Sequence, residues 1–153
     1  MDAKLVNPFI KATLTVLETM AFIKANPKKP FIKKNTIATG DISSIIGLSG
    51  ETKGTISVSF ESKCILSIVS NMFGEEIKEL NEEVMDAAGE IANMISGQAR
   101  QELEAAGKVL YAAIPTVISG KSHTISHMTS APIMAVPFNT EFGEFTIEVC
   151  FED

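Results

Sequence analysis

The stretch whose reading decides the fold is DAAGEIANMISGQARQ, residues 86–101. Its apolar spacing is that of a long helix, yet it carries Gly89 and Gly97, each costing about 1 kcal/mol relative to alanine in a helix interior. Extended to residues 81–106, the pattern opens on the capping signal Asn81-Glu82-Glu83 and closes at Gly107. At about 100° per residue, Val84, Ala88, Ile91, Ile95, Ala99, Leu103 and Ala106 fall in one stripe, the core face. Asp86, Glu90, Asn93, Gly97, Arg100 and Glu104 fall on the opposite side, with Gly89 and Ser96 at its border. Core packing does not explain Gly97: either it is tolerated at a cost, or the outer surface is kept flat so that another backbone can lie close. The second option makes this face a docking surface.

Outward from the helix, the chain alternates between two periods. Upstream, Leu5, Phe9, Ala12, Leu14, Val16, Leu17, Met20 and Phe22 keep helical spacing, and Asn7 before Pro8 supplies a cap signal, predicting a helix over residues 7–24. KKNTIATGDISSIIGLSG and GTISVSFE predict two strands with a turn near GETKG, the second placing Ile56, Val58 and Phe60 on one face. SKCILSIVSNMF returns to helical spacing and Gly74 stops it. Downstream, VLYAAIPTVISG, KSHTISHM, PIMAVPFN and EFTIEVCFED read as strands separated by glycine, proline and polar turns. The class is α+β, a largely antiparallel sheet with two long helices and a short one. TISVSFE at 55–61 and TIEVCFE at 146–152 share Thr, Ile, Val, Phe and Glu in order, which suggests pseudo-two-fold halves.

The chain has 153 residues, 45% of them hydrophobic, and a net charge of −6, so one folded acidic domain spanning residues 1–153 is expected. Acidity argues against general nucleic-acid binding, which relies on lysine and arginine. The one basic cluster, Lys24, Lys28, Lys29, Lys33 and Lys34 around NPKKP, reads as a solvated loop. No run approaches the roughly 18 uninterrupted apolar residues of a membrane span. Cys64 and Cys150 sit singly in apolar stretches, the usage of a reducing compartment, so the expected location is the cytoplasm. GKS at 120–122 would need a glycine at 115 to end a phosphate loop, and Pro115 stands there. His123 and His127, taken as i and i+4 on a strand, would stand roughly 13 Å apart, too far to share a metal.

On the outer helix face, Glu90 and Asn93 lie three residues apart and present an acid and an amide side by side. The run Asp86-Ala87-Ala88-Gly89-Glu90-Ile91-Ala92-Asn93, with Pro115 further along, resembles the D-x-x-x-E-x-x-N…P signature of the CheC/CheX/FliY chemotaxis phosphatases. One copy of the motif in a short chain is closer to CheX than to CheC: the first helix offers Glu18-Thr19-Met20-Ala21, without the asparagine. The resemblance implies hydrolysis of the aspartyl-phosphate of a CheY-type response regulator, with Glu90 and Asn93 as the catalytic residues. It also implies a homodimer joined through its sheets. Magnesium would sit in the regulator's own acidic pocket, so no cofactor is expected on this chain.

Those residue types suit that chemistry. An acyl phosphate is already activated, so its hydrolysis needs an in-line water held in place more than a strong base. An asparagine carboxamide orients water without adding negative charge beside the phosphoryl group. Glu90 would pair with a lysine of the regulator, and Asp86, Gly89, Gly97 and Arg100 complete the expected docking surface. The alternative is a non-catalytic module that binds a regulator or a flagellar or signalling partner through the same face.

Overall fold

The computed structural model describes residues 3–127 and 129–152. Three helices, α1 (Ala3–Ala21), α2 (Ser62–Phe73) and α3 (Glu82–Ala105), accompany eight strands: β1 (Asn26–Pro27), β2 (Phe31–Lys33), β3 (Ile42–Gly50), β4 (Gly54–Phe60), β5 (Leu110–Ala112), β6 (Thr116–Ser119), β7 (Ile133–Thr140) and β8 (Gly143–Phe151). All pair antiparallel in one sheet ordered β1-β7-β8-β4-β3-β5, with β2 also on β7 and β6 also on β3. This is the expected α+β class.

The repeated heptapeptides lie side by side. β4 runs antiparallel to β8, and Ser57, third residue of the first copy, pairs with Glu148, third residue of the second. Thr55 pairs with Cys150 and Ser59 with Thr146, so the register is symmetric about the Ser57–Glu148 pair. Each member closes a hairpin, β3–β4 or β7–β8, and α1 packs beside α3 across the sheet. The arrangement is that expected of two related halves.

Strand alternation builds the core on the helix side, where Ile42, Ile46, Ile56, Val58, Phe60, Ile147 and Val149 are buried beneath the helices. Phe9 of α1 meets Phe151 of β8 at 5.9 Å, and Phe138 stacks on Phe145 at 4.9 Å. Asn81 caps α3 by accepting the Val84 amide at 3.0 Å, and Gly74 ends α2 in the left-handed region at φ 69°. Asp41, just ahead of β3, accepts both the amide and the hydroxyl of Ser62 at 2.9 Å; these bonds hold its carboxyl below the usual range and tie down the start of α2.

The structure corrects several expectations. α1 starts before Asn7, which lies within the helix, and takes in Pro8, because Leu5, Val6 and Pro8 are buried and their packing outweighs the local cap signal. It ends at Ala21 rather than at 24: Phe22 adopts a φ of 57°, and the Ile23 amide donates to the Leu17 carbonyl. VLYAAIPTVISG is two short strands, β5 and β6, interrupted at 113–115. Ala106 caps α3 in an exposed position and does not reach the core.

KSHTISHM contributes no named strand over residues 121–127, and Met128 lies outside the described residues. This segment instead crosses the polar face of the sheet, touching Ile37 through a single bridge at Thr124 and burying Ile125. Because of that cover, Thr55, Ser57 and Ser59 of β4 are buried as fully as the apolar residues they alternate with. His123 donates from Nδ1 to the Gly120 carbonyl at 2.7 Å, and its Nε2 shares a hydrogen bond with the Ser43 hydroxyl at 2.6 Å. His127 donates from Nε2 to Glu148 at 2.9 Å.

The basic cluster is not wholly solvated either. Lys33 is buried and donates to Glu148 at 2.6 Å and to the Ile37 carbonyl, while Lys28 pairs with Glu144. Burial would raise the Glu148 carboxyl, but hydrogen bonds from His127 and Lys33 and the Lys33 charge outweigh it and hold the pKa below the usual value. Both cysteines are free and buried, and burial pushes the Cys64 thiol up to about 11.

Candidate functional site on the long helix

Along α3 the expected core stripe is buried from Val84 through Leu103, but the buried arc is wider and includes Ala87, Gly89, Ala92 and Ser96. The reason is tertiary: α3 lies against β3, β5 and β6 as well as α1 and α2. Asp86, Glu90 and Asn93 remain exposed. Among the described residues none of these three makes a hydrogen bond or ion pair within the chain. Such side chains remain available to an incoming partner.

The two glycines have different explanations. A Cβ on Gly89 would come within 3.3 Å of the Val117 side chain and 3.8 Å of the Pro115 ring, so this glycine is buried and lets the 115–117 segment press against the helix. Its assignment to the outer border is therefore corrected. A Cβ on Gly97 would meet only the end of Arg100, at 4.0 Å, so nothing within the fold asks for a glycine there. Arg100 is half-buried and donates to the Ser96 hydroxyl at 3.2 Å.

The close approach at Gly89 shapes a groove of about 450 Å³ in which Glu90, Asn93 and Asp86 face Ile114, Pro115 and Val117, with Met85 and Glu82 at one end. Pro115, distant in sequence, thus joins the helix motif in one depression. Another hollow, between α1 and α3, is lined by Lys11, Thr15, Gln98 and Glu102, and its carboxylate is taken up by Lys11 at 3.6 Å. On α1, the position where an asparagine would complete a second motif is Ala21, which is buried and whose carbonyl accepts from Asn71. Among the described residues no group of three or more His, Cys, Asp or Glu could hold a metal ion.

The sequence reading did not find Ile114 or Met85 as part of the site. The only signal for Ile114 was an apolar residue beside the proline that breaks VLYAAIPTVISG in two, and for Met85 its place next to Asp86 on the long helix.

A family model described as Chemotaxis phosphatase CheX matches residues 42–139. The chain belongs to the CheX family. The CheY-P phosphatase CheX of Thermotoga maritima is 32% identical over 122 residues, covering 79% of each protein. Among solved structures, chemotaxis protein CheX from Vibrio vulnificus is 45% identical, with a TM-score of 0.92 over 98% of this chain and 100% of that one. CheX in a CheX–CheY–BeF3–Mg2+ complex from Borrelia burgdorferi is 25% identical, with a TM-score of 0.82 over 97% of each chain. No helix among the described residues is long and apolar enough to cross a membrane.

Proposed function

We propose that this CheX-family chain hydrolyses the aspartyl-phosphate of a CheY-type response regulator, with Asn93 orienting the attacking water and Glu90 pairing with a cation of the docked regulator. The observation that carries this reading is the pair itself: an amide and a carboxylate one turn apart on an exposed helix face, both without a partner among the described residues and both facing the Pro115 groove. The T. maritima relative is named for CheY-P phosphatase activity, and the B. burgdorferi relative is held with CheY in its complex, which supports the substrate class.

The reaction asks little covalent chemistry of the protein. Water attacks phosphorus in line, the bond to the aspartyl oxygen breaks, and the regulator's carboxylate leaves. The Asn93 amide accepts a hydrogen bond from that water and holds it on the line of attack without a charge of its own. Glu90 fixes the register of the docked partner by a charge-assisted contact, and Asp86, one turn earlier, adds to the negative potential that receives it. Gly97 leaves room for the partner's backbone beside Arg100. Metal belongs in this scheme to the regulator, so the chain itself carries none. Pairing of two copies through the sheet, with the helix faces outward, and a cytoplasmic location belong to the same reading; a lone 16.4 kDa species in light scattering at micromolar concentration would refute the pairing.

The decisive experiment is phosphate release from phosphorylated CheY with and without the protein. Asn93→Ala is expected to leave docking nearly intact and lower the catalysed rate by about 100-fold, the scale of losing a positioning group. Full turnover by Asn93→Ala at saturating regulator would refute the mechanism, and docking without any catalysis by the native chain would leave a binding module.

A further inference from the structure

Asp86 and Glu90 line two grooves at once. On one side is the Pro115 groove; on the other is a hollow of about 340 Å³ between α3 and the end of α2, lined also by Met72, Phe73, Glu83 and Ala87. The two carboxylates therefore form a crest between two apolar walls. Ile114 stands on one wall 89% exposed, and Phe73 on the other 44% exposed. Large apolar side chains left in water on both flanks of an acidic crest are the composition of an interface whose partner is absent.

Resting on the phosphatase assignment and going beyond it, we propose that Ile114 and Phe73 are paired docking anchors that grip the CheY-type receiver domain on either side of the Asp86–Glu90 crest. They set affinity, and Asn93 sets rate. Charge selects the occupant. Among the described residues Glu82, Glu83, Asp86 and Glu90 line the two grooves and no basic side chain does, so the matching surface carries cations between apolar patches. A second copy of this chain, at a net charge of −6, is a poor match for that crest. The two walls come from parts of the chain far apart in sequence, the 113–115 link and the end of α2, so the grip exists only in the folded protein.

The test is a binding titration with a CheY receiver domain loaded with beryllofluoride and Mg2+, which reads docking without turnover. Ile114→Ala and Phe73→Ala are each expected to weaken binding by about fivefold or more, and the double variant by close to the product of the two, since the anchors stand on separate elements. Ile114→Leu and Phe73→Leu should recover most of the loss, and circular dichroism should show every variant folded. In turnover assays the alanine variants should raise KM by the same factors, with kcat changed by less than about twofold. Alanine variants that bind within about twofold of the native chain would overturn the proposal. So would weakened self-association with unchanged receiver binding, which would make a second copy the occupant. If the native chain binds the loaded receiver but releases no phosphate from phosphorylated CheY, the phosphatase reading fails while the titration still decides the anchors.

Discussion

Polar residues occupy two regions of this molecule on opposite terms. On the outer face of α3, Asp86, Glu90 and Asn93 are exposed and, among the described residues, without partners in the chain. On the far face of the sheet, Lys33, Glu148, Ser43 and Ser59 are buried under residues 121–127 and bonded to one another or to His123 and His127 of that segment. The contrast separates two uses of the same side chains. Glu148 spends its hydrogen-bonding capacity inside the fold and locks a covering segment onto the sheet, whereas Glu90 leaves its capacity unspent among the described residues. Ser57 on the covered face and Ser44 on the helix side, both buried with hydroxyls lacking a partner among the described residues, show that neither face is completely satisfied.

The sharpest way to break the contrast is to exchange the carboxylates' consequences. Glu148→Gln leaves the Lys33 ammonium buried without its counter-charge and should lower folding stability by about 3–5 kcal/mol, read as a shift of the urea midpoint. The same carboxylate sets an acid limit. Its folded pKa lies below the unfolded one, so its contribution is present above the unfolded value of about 4.3 and is lost as pH falls through the lower folded value. Glu148→Gln should flatten that part of the pH–stability curve. Glu90→Ala, by contrast, should leave stability within about 0.5 kcal/mol and weaken regulator binding by about 1.5–3 kcal/mol, the scale of a charge-assisted contact. An equal loss of stability from both substitutions would erase the distinction.

The two glycines of α3 sharpen it further at smaller magnitude. Gly97→Ala meets open space and should stabilise the free protein by about 1 kcal/mol through helix propensity. Gly89→Ala gains the same propensity but drives a methyl to 3.3 Å from Val117, and should show less of that gain or none. Thermal melts of the two variants compare them directly. Gly97→Leu should keep the stability gain yet hinder the regulator by steric block, an opposite pairing that a purely structural glycine would not produce.

Much of this was legible along the chain because it depends on local spacing. The capping signal at Asn81, the stop at Gly74, the alternation of β4 and β8 and the exposure of Asp86, Glu90 and Asn93 follow from periods of 2 and 3.6 residues and from the chemistry of caps. Where local signals competed with burial, they lost. Asn7-Pro8 reads as a helix start until Leu5 and Val6 find a core to enter, and KSHTISHM reads as a strand until its histidines find Ser43 and Glu148. Lys33 belongs to a basic run in sequence and to a buried ion pair in space.

By itself, then, the sequence determined the α+β class, the repeat that closes the sheet and the residues that α3 turns outward, because each is set by neighbours within a few positions. Only the tertiary structure decided that Gly89 is a contact and Gly97 is not, that Pro115 and Ile114 face the Glu90–Asn93 turn, and that Glu148 is paired from two sides. Those facts depend on which distant segments come to rest against one another, and the packing of a sheet between helices on one face and a covering segment on the other settles that only when the whole chain has folded.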